Sequence, residues 1–131
     1  MILDKGITKS DVVRNNRHRI FAEIRQLIDV EKRFKNPNFN IKRLSHEIGV
    51  SEKELAEYFI EELSISFSDY IHKKKIEEFK NLVKEDTQNT YSLEGVAQLA
   101  GFKSKATFYR VFKKTEGMTP SMYKQEQSKV S

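Results

Sequence analysis

Apolar residues recur at helical spacing along nearly the whole chain, and no segment alternates as a half-buried strand would. The pattern predicts an all-α protein. Ile20, Phe21, Ile24, Leu27 and Ile28 mark one face of a helix from His18 to about Phe34. The turn-forming stretch KNPNFN at residues 35–40 breaks it. A second stripe, Ile71, Ile76, Phe79, Leu82 and Val83, predicts one long helix over residues 67–86. At about 1.5 Å per residue it spans roughly 25–30 Å. Residues 1–17 are polar and lack periodicity, so they read as a disordered arm or linker remnant, and residues 126–131 read as a tail.

The segments flanking the long helix repeat one another. Residues 39–70 (FNIKRLSHEIGVSEKELAEYFIEELSISFSDY) compare with residues 91–123 (YSLEGVAQLAGFKSKATFYRVFKKTEGMTPSMY). Ile41 matches Leu93, Leu44 matches Val96, Ile48 matches Ala100 and Gly49 matches Gly101. After one inserted residue Leu55 matches Phe108, Phe59 matches Phe112, Ser66 matches Thr119 and Tyr70 matches Tyr123. So many shared roles indicate an internal duplication. Each copy reads as helix, tight glycine turn, helix, which is the helix-turn-helix unit. Asn40 and Ser92 suit the N-caps of the first helices, and Ser51 and Ser104 those of the second. Gly49 and Gly101 suit the left-handed conformation that ends a helix. The expected organisation is an N-terminal helix and turn (18–38), a first unit (39–66), the bridging helix (67–86) and a second unit (87–125).

Charge changes this picture only a little. Lys and Arg exceed Asp and Glu by 24 to 19, a net +5 that is compatible with a nucleic-acid partner without requiring one. The absence of cysteine removes disulfides, thiolate nucleophiles and cysteine-based zinc sites. His18, His46 and His72 lack ligand spacing, and no nucleophile–base pair or phosphate-binding loop is visible. The expectation is a protein that is not an enzyme and that needs no cofactor or metal. No apolar run approaches the ~20 residues of a membrane helix, and residues 1–19 lack a signal-peptide core, so a cytoplasmic protein is expected.

Two such units joined by one long helix resemble the DNA-binding domain of the AraC/XylS family of bacterial transcription regulators, over roughly residues 39–125. The most specific part is GFKSKATFYRVFKKTEGMTPSMYK in the second unit: G-F, a small polar residue two further on, F-x-R-x-F-K-K, then G-M-T-P-x-x-Y. The resemblance implies two recognition helices in successive major grooves on one face of double-stranded DNA. In the second unit the family's base-reading positions fall on Lys105, Ala106, Thr107 and Arg110. Arg110 suits a bidentate contact to guanine, Thr107 a thymine methyl group, and Ala106 only apolar base edges. Lys103, Lys113 and Lys114 would serve phosphates, and Ser104 would meet one at the helix N-terminus. The resemblance also implies a sensor domain elsewhere in a longer protein.

The first unit departs from the family pattern. Its base-reading positions fall on Lys53, Ala56 and Glu57, within a helix that also carries Glu52, Glu54, Glu61 and Glu62. Glu52 and Glu54 suit the helix dipole, and Ser51 with Glu54 suits a capping box. Glu61 and Glu62 lie at the far end. Glu57 either accepts from cytosine N4 or marks a unit that touches DNA lightly. Ser64 stands where the second unit has Gly117, and Ile60 where it has Lys113, so Ile60 either packs on the N-terminal helix or belongs to a partner surface. Lys73, Lys74 and Lys75 are candidates for further phosphate contacts, while Lys80 and Lys84 read as a solvated face. A competing reading is a helical interaction module whose acidic first unit docks a partner such as RNA polymerase.

Overall fold

A computed structural model describes residues 8–130 and is all-helical over them. The α-helices are α1 (Lys9–Ile24), α2 (Ile41–Ile48), α3 (Glu52–Leu63), α4 (Phe67–Glu85), α5 (Leu93–Leu99), α6 (Lys105–Glu116) and α7 (Pro120–Val130). After Ile24 the first helix widens into a π turn over Arg25–Val30, and a short 3-10 turn follows at Arg33–Lys35.

Local chemistry accounts for most of these boundaries. Asn40, Ser51, Ser66, Ser92 and Ser104 each sit in extended backbone, and each side chain accepts from the N–H three residues on. That bond satisfies one of the amides a helix start leaves unpaired. Gly49 ends α2 at φ 83°, and Ser64 ends α3 in the same left-handed region at φ 57° although it has a Cβ. Gly101 carries a second constraint. A Cβ there would press into the carbonyl oxygen of Phe34 and the Cα of Lys35, so the turn of the second unit lies directly against the 3-10 turn that precedes the first.

Two apolar cores result. Ile20, Ile24, Leu27, Ile28, Phe34, Leu44, Ile48, Leu55, Tyr58 and Phe59 form the first. Val96, Ala97, Ala100, Phe102, Phe108, Val111, Phe112 and Tyr123 form the second. The bridging helix α4 serves both, with Ile71 in the first and Ile76 and Phe79 in the second. Its buried Glu78 accepts from Lys32 at 2.9 Å and pairs with Lys35 at 3.1 Å. Burial pushes the Glu78 carboxyl up, but the two ammonium groups outweigh it and hold the group below its ordinary range.

The N-terminal segment differs from expectation. Residues 1–7 lie outside the described residues, but 9–17 are helical and not a disordered arm. The helix opens on a capping box: Thr8 accepts from the Asp11 N–H at 3.1 Å, and Asp11 accepts from the Thr8 N–H at 3.0 Å. Its first turns are held by polar contacts and not by an apolar stripe, which is why periodicity fails to mark them. At the other end α7 continues through residues 126–130, because nothing in that stretch breaks a helix begun by Pro120. Phe21 stays exposed, since it sits about 100° around the helix from Ile20 and off the buried face.

Candidate nucleic-acid interface

In α6 the apolar register buries Phe108, Val111 and Phe112 against α4 and α5. Helical spacing then turns Lys105, Ala106, Arg110, Lys113 and Lys114 outward, and all five are exposed, while Thr107 is half-buried. Lys105, Arg110, Lys113 and Lys114 form no ion pair or hydrogen bond with any described residue. Lys103 reaches only Asn38 Oδ1, at 3.3 Å. Ser104 accepts from the Thr107 N–H at 3.3 Å, which leaves its own O–H able to donate outward. Tyr109 donates to Glu94 at 2.6 Å, holding that carboxyl below its ordinary range and tying α5 to α6. The outer face of α6 is therefore positive along its length, with no carboxylate among its own residues until Glu116.

The same register in α3 buries Leu55, Tyr58 and Phe59 and turns Lys53, Ala56, Glu57 and Ile60 outward. Three of its acids have partners on α1. Arg17 donates to Glu61 at 2.6 Å and to Glu62 at 2.8 Å, and Asn16 donates to Glu54 at 2.6 Å. Donating to Glu61 and Glu62 raises the pKa of the Arg17 guanidinium further. Glu54 thus bonds α1 instead of closing a capping box. Glu57 makes no hydrogen bond or ion pair with a described residue. Ile60 is 57% exposed, so it does not pack on the N-terminal helix.

Two groups of lysines on α4 depart from expectation. Lys74 pairs with Asp29 at 3.1 Å, and Lys75 is 8% exposed with its ammonium 5.6 Å from the centre of the Phe102 ring. Of the three neighbouring lysines only Lys73 remains exposed. Lys80, expected to be solvated, donates to Glu116 at 2.9 Å. The contacts of Asn16 and Arg17 were invisible to periodicity, although the T-x-x-D spacing of Thr8 and Asp11 marked the start of their helix. The position of Lys75, four residues after Ile71 and beside Ile76, placed it on the buried face.

The profile of a helix-turn-helix domain matches residues 44–126. The chain belongs to the AraC/XylS family of helix-turn-helix regulators. Within that family it is 32% identical over 83 residues to the xylose operon regulatory protein of Escherichia coli K12, covering 63% of this chain. The chain spans a fifth of that relative's length. Among solved structures, a Listeria innocua protein superposes with a TM-score of 0.71 at 25% identity, over 81% of this chain and 95% of that one. The C-terminal domain of the two-component response regulator yesN from Fusobacterium nucleatum superposes with a TM-score of 0.66 at 25% identity, over 84% and 98% respectively. Both share the all-helical fold seen here. Among the described residues no helix is long and apolar enough to cross a membrane, and no group of side chains could hold a metal ion.

Proposed function

We propose that the chain binds double-stranded DNA sequence-specifically in bacterial transcription control, with α6 as the dominant reader and α3 entering the neighbouring major groove. The observation that carries this reading is the outer face of α6, where Lys105, Arg110, Lys113 and Lys114 are exposed and form no ion pair or hydrogen bond with a described residue. Cations in that state release the counter-ions of a polyanion when they bind it. On this reading Arg110 and Thr107 contact base edges, Lys105 lies at the groove-entering end, and Lys103, Lys113, Lys114 and the Ser104 hydroxyl position the backbone. Lys53, Ala56 and Glu57 make the lighter contacts of the first unit. The 19 residues of α4 span about 28 Å, comparable with the ~34 Å repeat of grooves on one face of a duplex. A cytoplasmic location, a sensor domain elsewhere in a longer protein and contact with RNA polymerase belong to the same proposal.

Selection from a random DNA pool, followed by binding titration of the enriched duplex at low and moderate salt, tests it. Enrichment of one sequence and an affinity that falls steeply with salt are expected. No enrichment and no salt dependence would overturn the reading. Ile60, exposed beside the unpartnered Glu57, favours a second reading in which the first unit docks a protein. That reading predicts that Lys105→Glu with Arg110→Glu leaves function intact.

A further inference from the structure

The duplication sets two equivalent grooves side by side for comparison. In each unit the helix preceding the motif flanks its second helix: α1 flanks α3, and α4 flanks α6. In the first unit a cation on α1, Arg17, meets acids on α3, Glu61 and Glu62. The register that matches Leu55 with Phe108 and Phe59 with Phe112 places Lys114 where Glu61 stands and Arg110 where Glu57 stands. α4 faces them with His72 and Lys73. Where one unit sets a cation against acids, the other gathers Lys73, Arg110 and Lys114 around a single carboxylate, Asp69.

The second groove has a volume of about 270 Å³ and is lined by Ile65, Asp69, His72, Lys73, Arg110 and Lys114, among others. Lys73, Arg110 and Lys114 form no ion pair with a described residue, and Asp69 is the one carboxylate in the lining. Like charges gathered in a concave site favour an anion there. The His72 ring stacks on Phe102 at 6.4 Å between centres and 20° between planes, and neither ring nitrogen makes a hydrogen bond with a described residue. Burial, followed by the charges of Lys75, Arg110 and Lys114, holds this imidazole below its ordinary range, against the opposing pull of Asp69. In the unliganded groove His72 is thus biased toward its neutral form.

We infer that this groove takes a phosphate of the duplex backbone, held by Lys73, Lys114 and His72 as its imidazolium, so that DNA binding takes up a proton at His72. The inference rests on the DNA-binding reading and adds a phosphate site and a pH dependence to it. Arg110, at the edge of the groove, keeps its contact to a base. The arriving phosphate offsets the repulsion among the lysines and favours the charged ring. The DNA-bound protonation midpoint of His72 then lies above the free one. Affinity is highest below the free midpoint and is lost as pH rises through the bound one.

The test is an anisotropy titration of a random-sequence duplex at fixed low salt, from about pH 5.5 to about pH 7.5, the range in which histidine changes charge. Wild-type affinity should fall about threefold to tenfold across that range, a tenfold fall corresponding to a midpoint shift of about one unit. His72→Gln keeps a planar group and an N–H donor but cannot titrate, and it should remove most of that fall. Lys73→Ala, a change at an exposed side chain, should lower the salt slope by about one, as the loss of one phosphate contact does. Binding with an unchanged pH profile in His72→Gln and an unchanged slope in Lys73→Ala would overturn the groove assignment while leaving the DNA-binding reading intact. Absence of salt-dependent binding by the wild type would overturn both. An NMR titration of the His72 ring separates the duplex from a small anion. The duplex should raise its midpoint more than inorganic phosphate at matched ionic strength does, and an equal rise with phosphate alone would assign the groove to free anions.

Discussion

The helices α3 and α6 occupy the same place in two copies of one motif and share a capping serine, an apolar register and a left-handed terminus. Their outer faces have opposite charge. Between Phe102 and Lys114 there are five cations and no acid, whereas Glu52 to Glu62 holds five acids and one lysine. The inner face of a helix must match its core, and the caps must match the backbone, but the outer face is constrained only by what it meets. In the first unit much of that contact is internal, with α1 bonding Glu54, Glu61 and Glu62. In the second unit Lys105, Arg110, Lys113 and Lys114 form no ion pair or hydrogen bond with a described residue, and Lys103 reaches only Asn38.

The sharpest way to break this comparison is to disrupt one core at a time. Phe59→Ala and Phe108→Ala each remove a fully buried ring, and each should cost about 3–5 kcal/mol in urea unfolding. Phe108→Ala should eliminate DNA binding, whereas Phe59→Ala should spare more of it at low denaturant. Equal loss of binding in both would show that the units do not act separately.

The glycine turns give a smaller contrast. Gly49→Ala meets only the left-handed backbone, because no atom lies within 4 Å of its added Cβ, and it should cost about 1–2 kcal/mol. Gly101→Ala also puts a Cβ at positive φ and in addition collides with Phe34 and Lys35, so its unfolding free energy should fall further. Equal costs would mean that the second unit is not pressed against the Arg33–Lys35 turn.

The smallest change is at Glu57. Glu57→Lys should raise non-specific affinity and steepen the logarithmic salt slope by about 0.9, because one more phosphate can be engaged. A shallower or unchanged slope in a salt-series titration would place Glu57 away from DNA.

Much of this fold was legible because its signals are local. The caps, the glycine turns and the apolar stripe of α4 each lie within a few residues, and the duplication made each copy a check on the other. The first turns of α1 were missed because their support comes from Glu54, Glu61 and Glu62, far along the chain, through polar contacts with no period. The candidate interface was legible on α6, where exposure follows from the same spacing that buries Phe108 and Phe112. It was less legible on α4, where three adjacent lysines look alike but tertiary contacts separate them: Lys74 to Asp29, Lys75 onto Phe102, and Lys73 to the open groove. Of the two alternatives open for Ile60, packing on the N-terminal helix fails because α1 flanks α3 on the side of Glu54 and Glu61, leaving the Ile60 side uncovered.

On the proposed reading, affinity for DNA resides in α6 and α3 contributes little. A fluorescence titration of one duplex across a salt series, with Lys53→Glu and with the Lys105→Glu, Arg110→Glu pair, tests it most directly. Reversal on α6 should abolish salt-dependent binding, while Lys53→Glu should keep most of the wild-type affinity. Equal weakening by the two, or intact binding after reversal on α6, would contradict it.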